Sequence, residues 1–243
     1  MRKLRLGVIF TGCLFVGWLC WLGYLAAEPF LRRRWPEVLV TWARLLTGEF
    51  RDPLVGRDLL VGCAAGPLLA AIGFVSLLLP EWLGQAPDWV PADVLGVAYN
   101  VQAAVSLLVW RSAQSVMAGL TSVFLLLVLR LGLRSERAAV AVFVLATTAF
   151  VGTGSGNFWI ASLSGAAQIA LFVLLLVRVS LLAAVVGFYV TGLFILFPVT
   201  ADLRAWYAGA GVTALLVLAG LALFGFRTAL AGRPAFGKAT LAA

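Results

Sequence analysis

The chain has no histidine, and that one gap removes several chemistries. Zinc hydrolases built on H-E-x-x-H, serine–histidine dyads and histidine-ligated haem all need an imidazole. Lysine is almost missing as well. Lys3 and Lys238 stand at the two extremes, and the other sixteen basic residues are arginine. Charge of either sign is scarce, at 12% of residues where a soluble domain carries about 25%. No acidic residue falls deep within an apolar run, where transporters and proton pumps commonly carry a functional charge. Cysteine is limited to Cys13, Cys20 and Cys63, all inside apolar runs. Cys13 and Cys20 would lie about 10 Å apart along one helix, beyond bridging distance. These thiols read as small hydrophobes.

What is present is grease. Hydrophobic residues make up 63% of the 243, with a mean hydropathy of +1.06. Apolar stretches of about 18 residues or more recur, each long enough to cross roughly 30 Å of hydrocarbon. Runs such as VSLLLP and LFVLLLV do not alternate as barrel strands do. The expected fold is therefore all-α: a polytopic transmembrane helical bundle forming one integral membrane domain over residues 1–243.

Seven spans are predicted: Leu6–Ala27, Leu54–Leu79, Ser112–Leu133, Ala138–Val151, Ile160–Val177, Leu181–Phe197 and Tyr207–Phe226. The fourth is short and should recruit flanking residues. Only Arg178, Val179 and Ser180 separate the fifth from the sixth. A continuous helix across both would approach about 60 Å, so a sharp break at Arg178 is expected. The start, MRKLRLGVIFTGCLFVGWLC, has the basic opening of a signal peptide. The 22 residues from Leu6 to Ala27, closed by Glu28-Pro29, favour a retained helix instead.

The net charge of +8 belongs to a membrane face rather than to a nucleic-acid site, because cytoplasmic loops gather Lys and Arg. With the 28–58 loop in the cytoplasm, 13 basic residues fall inside and 5 outside, the latter being Arg2, Lys3, Arg5, Arg111 and Arg204. The C-terminus is then cytoplasmic and the N-terminus outside. MRKLR would itself prefer the cytoplasm, a conflict that further helices upstream would remove. Seven of the nine tryptophans (Trp35, Trp42, Trp82, Trp89, Trp110, Trp159 and Trp206) lie at or near span ends, where amphipathic rings prefer to sit. The outer loop PEWLGQAPDWVPAD holds three acids and no base. After it, Val94–Trp110 either packs at the outer surface or extends the third span.

The stretch EPFLRRRWPEV opens a charged collar. Pro36 suits the first turn of a helix, and Glu37 complements the positive end of its dipole. At 100° per residue, Val38, Leu39, Trp42, Leu45, Leu46 and Phe50 share one arc, opposite Glu37, Thr41, Arg44 and Thr47. Gly48 is a natural stop. An amphipathic helix over 36–48 lying in the cytoplasmic membrane surface is predicted, with Arg32, Arg33, Arg34 and Trp35 beside anionic lipid headgroups. Asp52-Pro53 is a helix start, cap followed by first-turn proline. Arg51, Asp52, Arg57 and Asp58 then form either a salt-bridged brace that fixes helix angles or a docking face for a partner.

Other motifs carry less. GTGSGNF (152–158) lacks both G-x-G-x-x-G spacing and a following Lys-Ser/Thr. Ser162-Leu-Ser164-Gly165 faintly resembles an intramembrane serine protease, but no histidine can serve as base. Gln114 with Ser112 and Ser115, Asn157, and Gln168 are the intramembrane polar residues, read as helix-to-helix hydrogen bonders or as the polar path of a small transporter or lipid-handling permease. Gly62 and Gly66 make a small-xxx-small face, fit for close packing within one protomer or in a homodimer. Nothing calls for a cofactor or metal.

TWARLLTGEFRDPLVGRDLLVG, preceded by EPFLRRRWP, resembles the membrane-embedded C-terminal region of some bacterial eukaryotic-type serine/threonine protein kinases. FPVTADLRAWYAG (197–209) and GFRTALAGRPAFG (225–237) fit too, so the resemblance spans roughly residues 27–237. In such proteins a kinase domain precedes several membrane helices. This chain has no glycine-rich loop, no V-A-I-K lysine, no H-R-D and no D-F-G, so the family's catalytic residues have nowhere to land. The resemblance implies a non-catalytic module of the bacterial inner membrane. It would anchor, and also dimerise or sense for, a kinase domain in cis or in trans, and the upstream part would carry the missing helices.

Overall fold

The computed structural model describes Trp18, residues 36–84, 101–153 and 158–200, Asp202, Arg204, Ala205 and residues 207–230. The predicted first span, Arg32–Arg34, Trp35, most of the acidic outer loop, Asn157, and the tail with Arg233 and Lys238 lie outside the described residues. Among the described residues every regular element is a helix. These are α1 (Pro36–Leu46), α2 (Pro53–Trp82), α3 (Val101–Leu133), α4 (Glu136–Thr153), α5 (Phe158–Arg178), α6 (Leu181–Leu196) and α7 (Ala208–Ala229). Four of them, α2, α3, α5 and α7, are long and apolar enough to cross a membrane, and α6 is a shorter apolar helix. The chain is a multi-pass membrane protein.

The helix ends follow from local chemistry. α1 stops at Gly48, whose φ of +87° suits glycine. There Glu49 N–H reaches the Arg44 carbonyl and Gly48 N–H reaches that of Leu45, the paired bonds of a Schellman turn. Asp52 caps α2 by accepting from Leu54 N–H at 2.8 Å, and Pro53 follows. The expected break at Arg178 is present and has a cause. Ser180 is extended, and its hydroxyl accepts from Ala183 N–H at 3.1 Å, so it starts α6 as an N-cap. The turn is a reversal, because Gln168 of α5 meets Leu69 of α2 whereas Leu175 reaches up to Gly187 beside Gly62. α5 therefore descends along α2, and α6 climbs beside it.

The most extensive pairing joins α2 to α6, two parallel helices far apart in sequence. A Cβ on Gly62 would stand 2.7 Å from Val186 Cβ and 2.8 Å from the Ala183 carbonyl, and one on Gly66 would overlap Val190. Glycine there lets the backbones approach. The small-residue face is thus spent inside the protomer rather than in a homodimer. α7 descends along the other side of α2, with Gly225 and Ala229 against Gly56. α3 runs antiparallel to α6, Gly119 meeting Val185 and Leu181, and α4 closes the ring between α3 and α5. Val55, Leu126, Leu176, Leu181 and Val190, all essentially inaccessible, lie in this core.

Two expectations change. The third span begins at Val101 rather than Ser112, so the stretch ahead of Trp110 extends the helix. The 36–48 helix exists, but Val38, Leu39 and Trp42 are buried against α2, α5 and α6 instead of facing lipid, while Leu46 and Phe50 stay exposed. The open base of the bundle offers this helix a better-packed apolar partner than the headgroup layer does.

Candidate functional site: a charged base and a polar layer at mid-depth

The antiparallel traces bring the start of α2, the α3–α4 turn, the α5–α6 turn and the end of α7 to one end of the bundle, with α1 laid across it. Arg44, Arg51, Arg57, Arg130, Arg134, Arg137, Arg178 and Arg227 all belong to this base. The predicted collar residues from Arg44 to Asp58 do come together there. Arg44 pairs with Asp52, tying α1 to the cap of α2. Arg57 gives two bonds to Asp58 Oδ1, at 3.1 and 3.0 Å. Arg130 reaches Glu136 at 3.4 Å across the α3–α4 turn. Gly48, Glu49, Phe50, Arg51 and Asp52 line a shallow depression of about 450 Å³.

Asp58 is the unusual member, fully buried while Arg57 remains 58% exposed. It lies one turn below Gly62, which packs on Ala183 and Val186, so a buried carboxylate sits at the level where α6 begins. Its Oδ2 has no protein partner, and neither do the buried Trp42 Nε1 and Thr41 Oγ1.

Within the bundle a second set of polar groups shares one depth. The charge-free run of α2 from Leu59 to Leu79 spans about 31 Å at 1.5 Å per residue, which matches the hydrocarbon layer, and Leu69 is its midpoint. Gln168 Nε2 donates to the Leu69 carbonyl at 2.7 Å, and Thr191 Oγ1 shares its one proton between the Gly187 carbonyl of its own helix at 2.8 Å and that of Gly66 at 3.2 Å. Ser115 is buried and donates to the Arg111 carbonyl at 2.7 Å. Gln114 and Gln168 therefore take separate partners and do not meet each other.

Arg111 is the residue that sequence reasoning misplaced, as a charge at the outer interface. It lies ten residues into α3, and its guanidinium rests on Gly192, beside Thr191 and thus near mid-depth. Nη1 donates to Gln114 Oε1 at 3.0 Å, and the guanidinium carbon sits 5.4 Å from the centre of the Phe188 ring. Phe188 in turn meets Phe172 of α5 edge-on. One signal was available: Arg111 is the lone charge between Val101 and Leu129. No protein family, curated protein or solved structure matches this chain.

Proposed function

We propose that this chain is a non-catalytic membrane module of the bacterial inner membrane that anchors a cytoplasmic signalling domain of the serine/threonine kinase type, on the same polypeptide or a neighbouring one. The observation that supports it most is the gathering of eight arginines at the base. By the positive-inside bias this end faces the cytoplasm, where its arginines meet anionic headgroups. The Arg44–Asp52 pair and the buried Val38, Leu39 and Trp42 hold α1 there, with Phe50 and Arg51 exposed at the depression for a partner. The alternative, a small permease, draws on the polar layer, but Gln114 and Gln168 are each bonded to protein, as a structural module requires.

The test is to read the coding frame upstream of the Met1 codon and to probe native membranes with an antibody against residues 36–50. A polypeptide well above 25.8 kDa that carries H-R-D and D-F-G motifs upholds the anchoring role. So does a specific cross-link from Phe50 or Arg51 to a separate kinase. A native product of this size with no kinase cross-linked at the base refutes it.

A further inference from the structure

We infer that Arg111 is the cationic half of an intramembrane site for an oxyanion, a carboxylate or a phosphate, at the seam between α3 and α6. A guanidinium does not give up its proton in a protein, so this charge persists at mid-depth. Its contacts are neutral. Gln114 Oε1 accepts one of its five N–H groups, the guanidinium carbon lies over the Phe188 ring, and no carboxylate among the described residues pairs with it. Nε is shielded from solvent with no acceptor.

The surroundings are shaped for this group. A side chain at position 192 would collide with the guanidinium, so glycine there makes the seat. Phe188 offers the guanidinium a ring and no acceptor, and Gln114 takes a single N–H, so further donors remain to meet a ligand. A guanidinium can match two oxygens of one anion. Arg111 itself is only partly buried, so part of its side chain stays open to a ligand. The ligand is thus an anionic group borne on an amphiphile or a small anion arriving through water. The assignment stands whether or not the base anchors a kinase.

The experiment uses the full chain in nanodiscs of neutral phosphatidylcholine. The probes are cis-parinarate, a fluorescent fatty acid, and its uncharged alcohol, with phosphate and acetate as aqueous competitors. We expect saturable binding of the acid but not the alcohol, at least tenfold weaker in Arg111→Leu and largely restored in Arg111→Lys. Gln114→Glu supplies an internal carboxylate to the same guanidinium and should abolish binding in a folded protein. Competition by phosphate or acetate assigns a water-borne anion to the site, and its absence assigns an amphiphile; either upholds it. Equal binding by wild type and Arg111→Leu, undiminished binding by Gln114→Glu, or no saturable binding of any probe overturns it. Recovery of the stability of Arg111→Asp by Asp88→Arg or Asp93→Arg also overturns it, because the counter-ion is then internal.

Discussion

Replacing Gly66 by alanine adds a single carbon at a close crossing of α2 and α6. That carbon would overlap Val190 Cβ and Cγ1 and stand 3.0 Å from the Gly187 carbonyl. Ordinary carbon contacts sit at about 3.5–4.0 Å, so α2 and α6 must part by roughly 1 Å. Overpacking of this kind costs about 1–3 kcal/mol. The same displacement stretches the bond from Thr191 to the Gly66 carbonyl, already 3.2 Å long, and such bonds in membranes average about 0.6 kcal/mol. Against this, alanine is the better helix former by about 0.5–1 kcal/mol. The net is a loss of about 1–3 kcal/mol. Gly220 on α7 supplies the control, because a Cβ there meets nothing within 4 Å. Gly220→Ala should gain the helix-propensity increment alone. The assay is unfolding in mixed micelles of rising SDS fraction, followed by tryptophan fluorescence. If the two variants shift the transition in the same direction by similar amounts, the close-approach reasoning is wrong.

Three other outcomes follow from the same structure. Ser180→Ala removes the cap of a buried helix start, and about 1–2 kcal/mol of stability should be lost in the same titration; a shift within experimental scatter would show that α6 does not depend on its cap. Gln168→Leu gives up the bond to the Leu69 carbonyl and should cost about 0.6–1.7 kcal/mol, with no increase in labelling of a nearby cysteine by water-soluble thiol reagents; strong new labelling would point to an aqueous path instead. Asp58→Asn removes a charge buried with one oxygen unpartnered, so stability should hold within about 1 kcal/mol or rise. A loss beyond about 3 kcal/mol would mean that Asp58 makes a stronger interaction than its bond to Arg57.

Most helix positions were legible in the sequence, and their partners were not. The second, fifth, sixth and seventh spans begin within two residues of the predicted starts, because charge, proline and N-caps punctuate them. The start of the third was misread for a physical reason. Arg111 looks like a boundary when charge is expected only at interfaces, but Gln114 and Phe188 make it tolerable inside. Pairing was hidden because α2 and α6 are apolar all round, and in lipid no solvent contrast marks the inner face. Only small residues betray it, and Gly62 and Gly66 read equally well as a dimer seam. The collar was visible as a cluster of charges. That Asp58 lies fully buried beside the α6 N-terminus required knowing which helix comes to rest there.

The parallel α2–α6 pair imposes an order of assembly on the growing polypeptide. Thr191 bonds to a carbonyl 125 residues earlier in the chain. At about 5–20 residues per second, α2 spends some 6–25 s in the membrane before its partner has been made. Throughout that interval the Gly62–Gly66 notch is an open socket, free to receive lipid or a helper protein. α3, α4 and α5 must insert meanwhile without filling it. The molecule's most extensive contact thus forms only after α3, α4 and α5 have been made, and a nascent chain halted before Leu181 still carries that socket open.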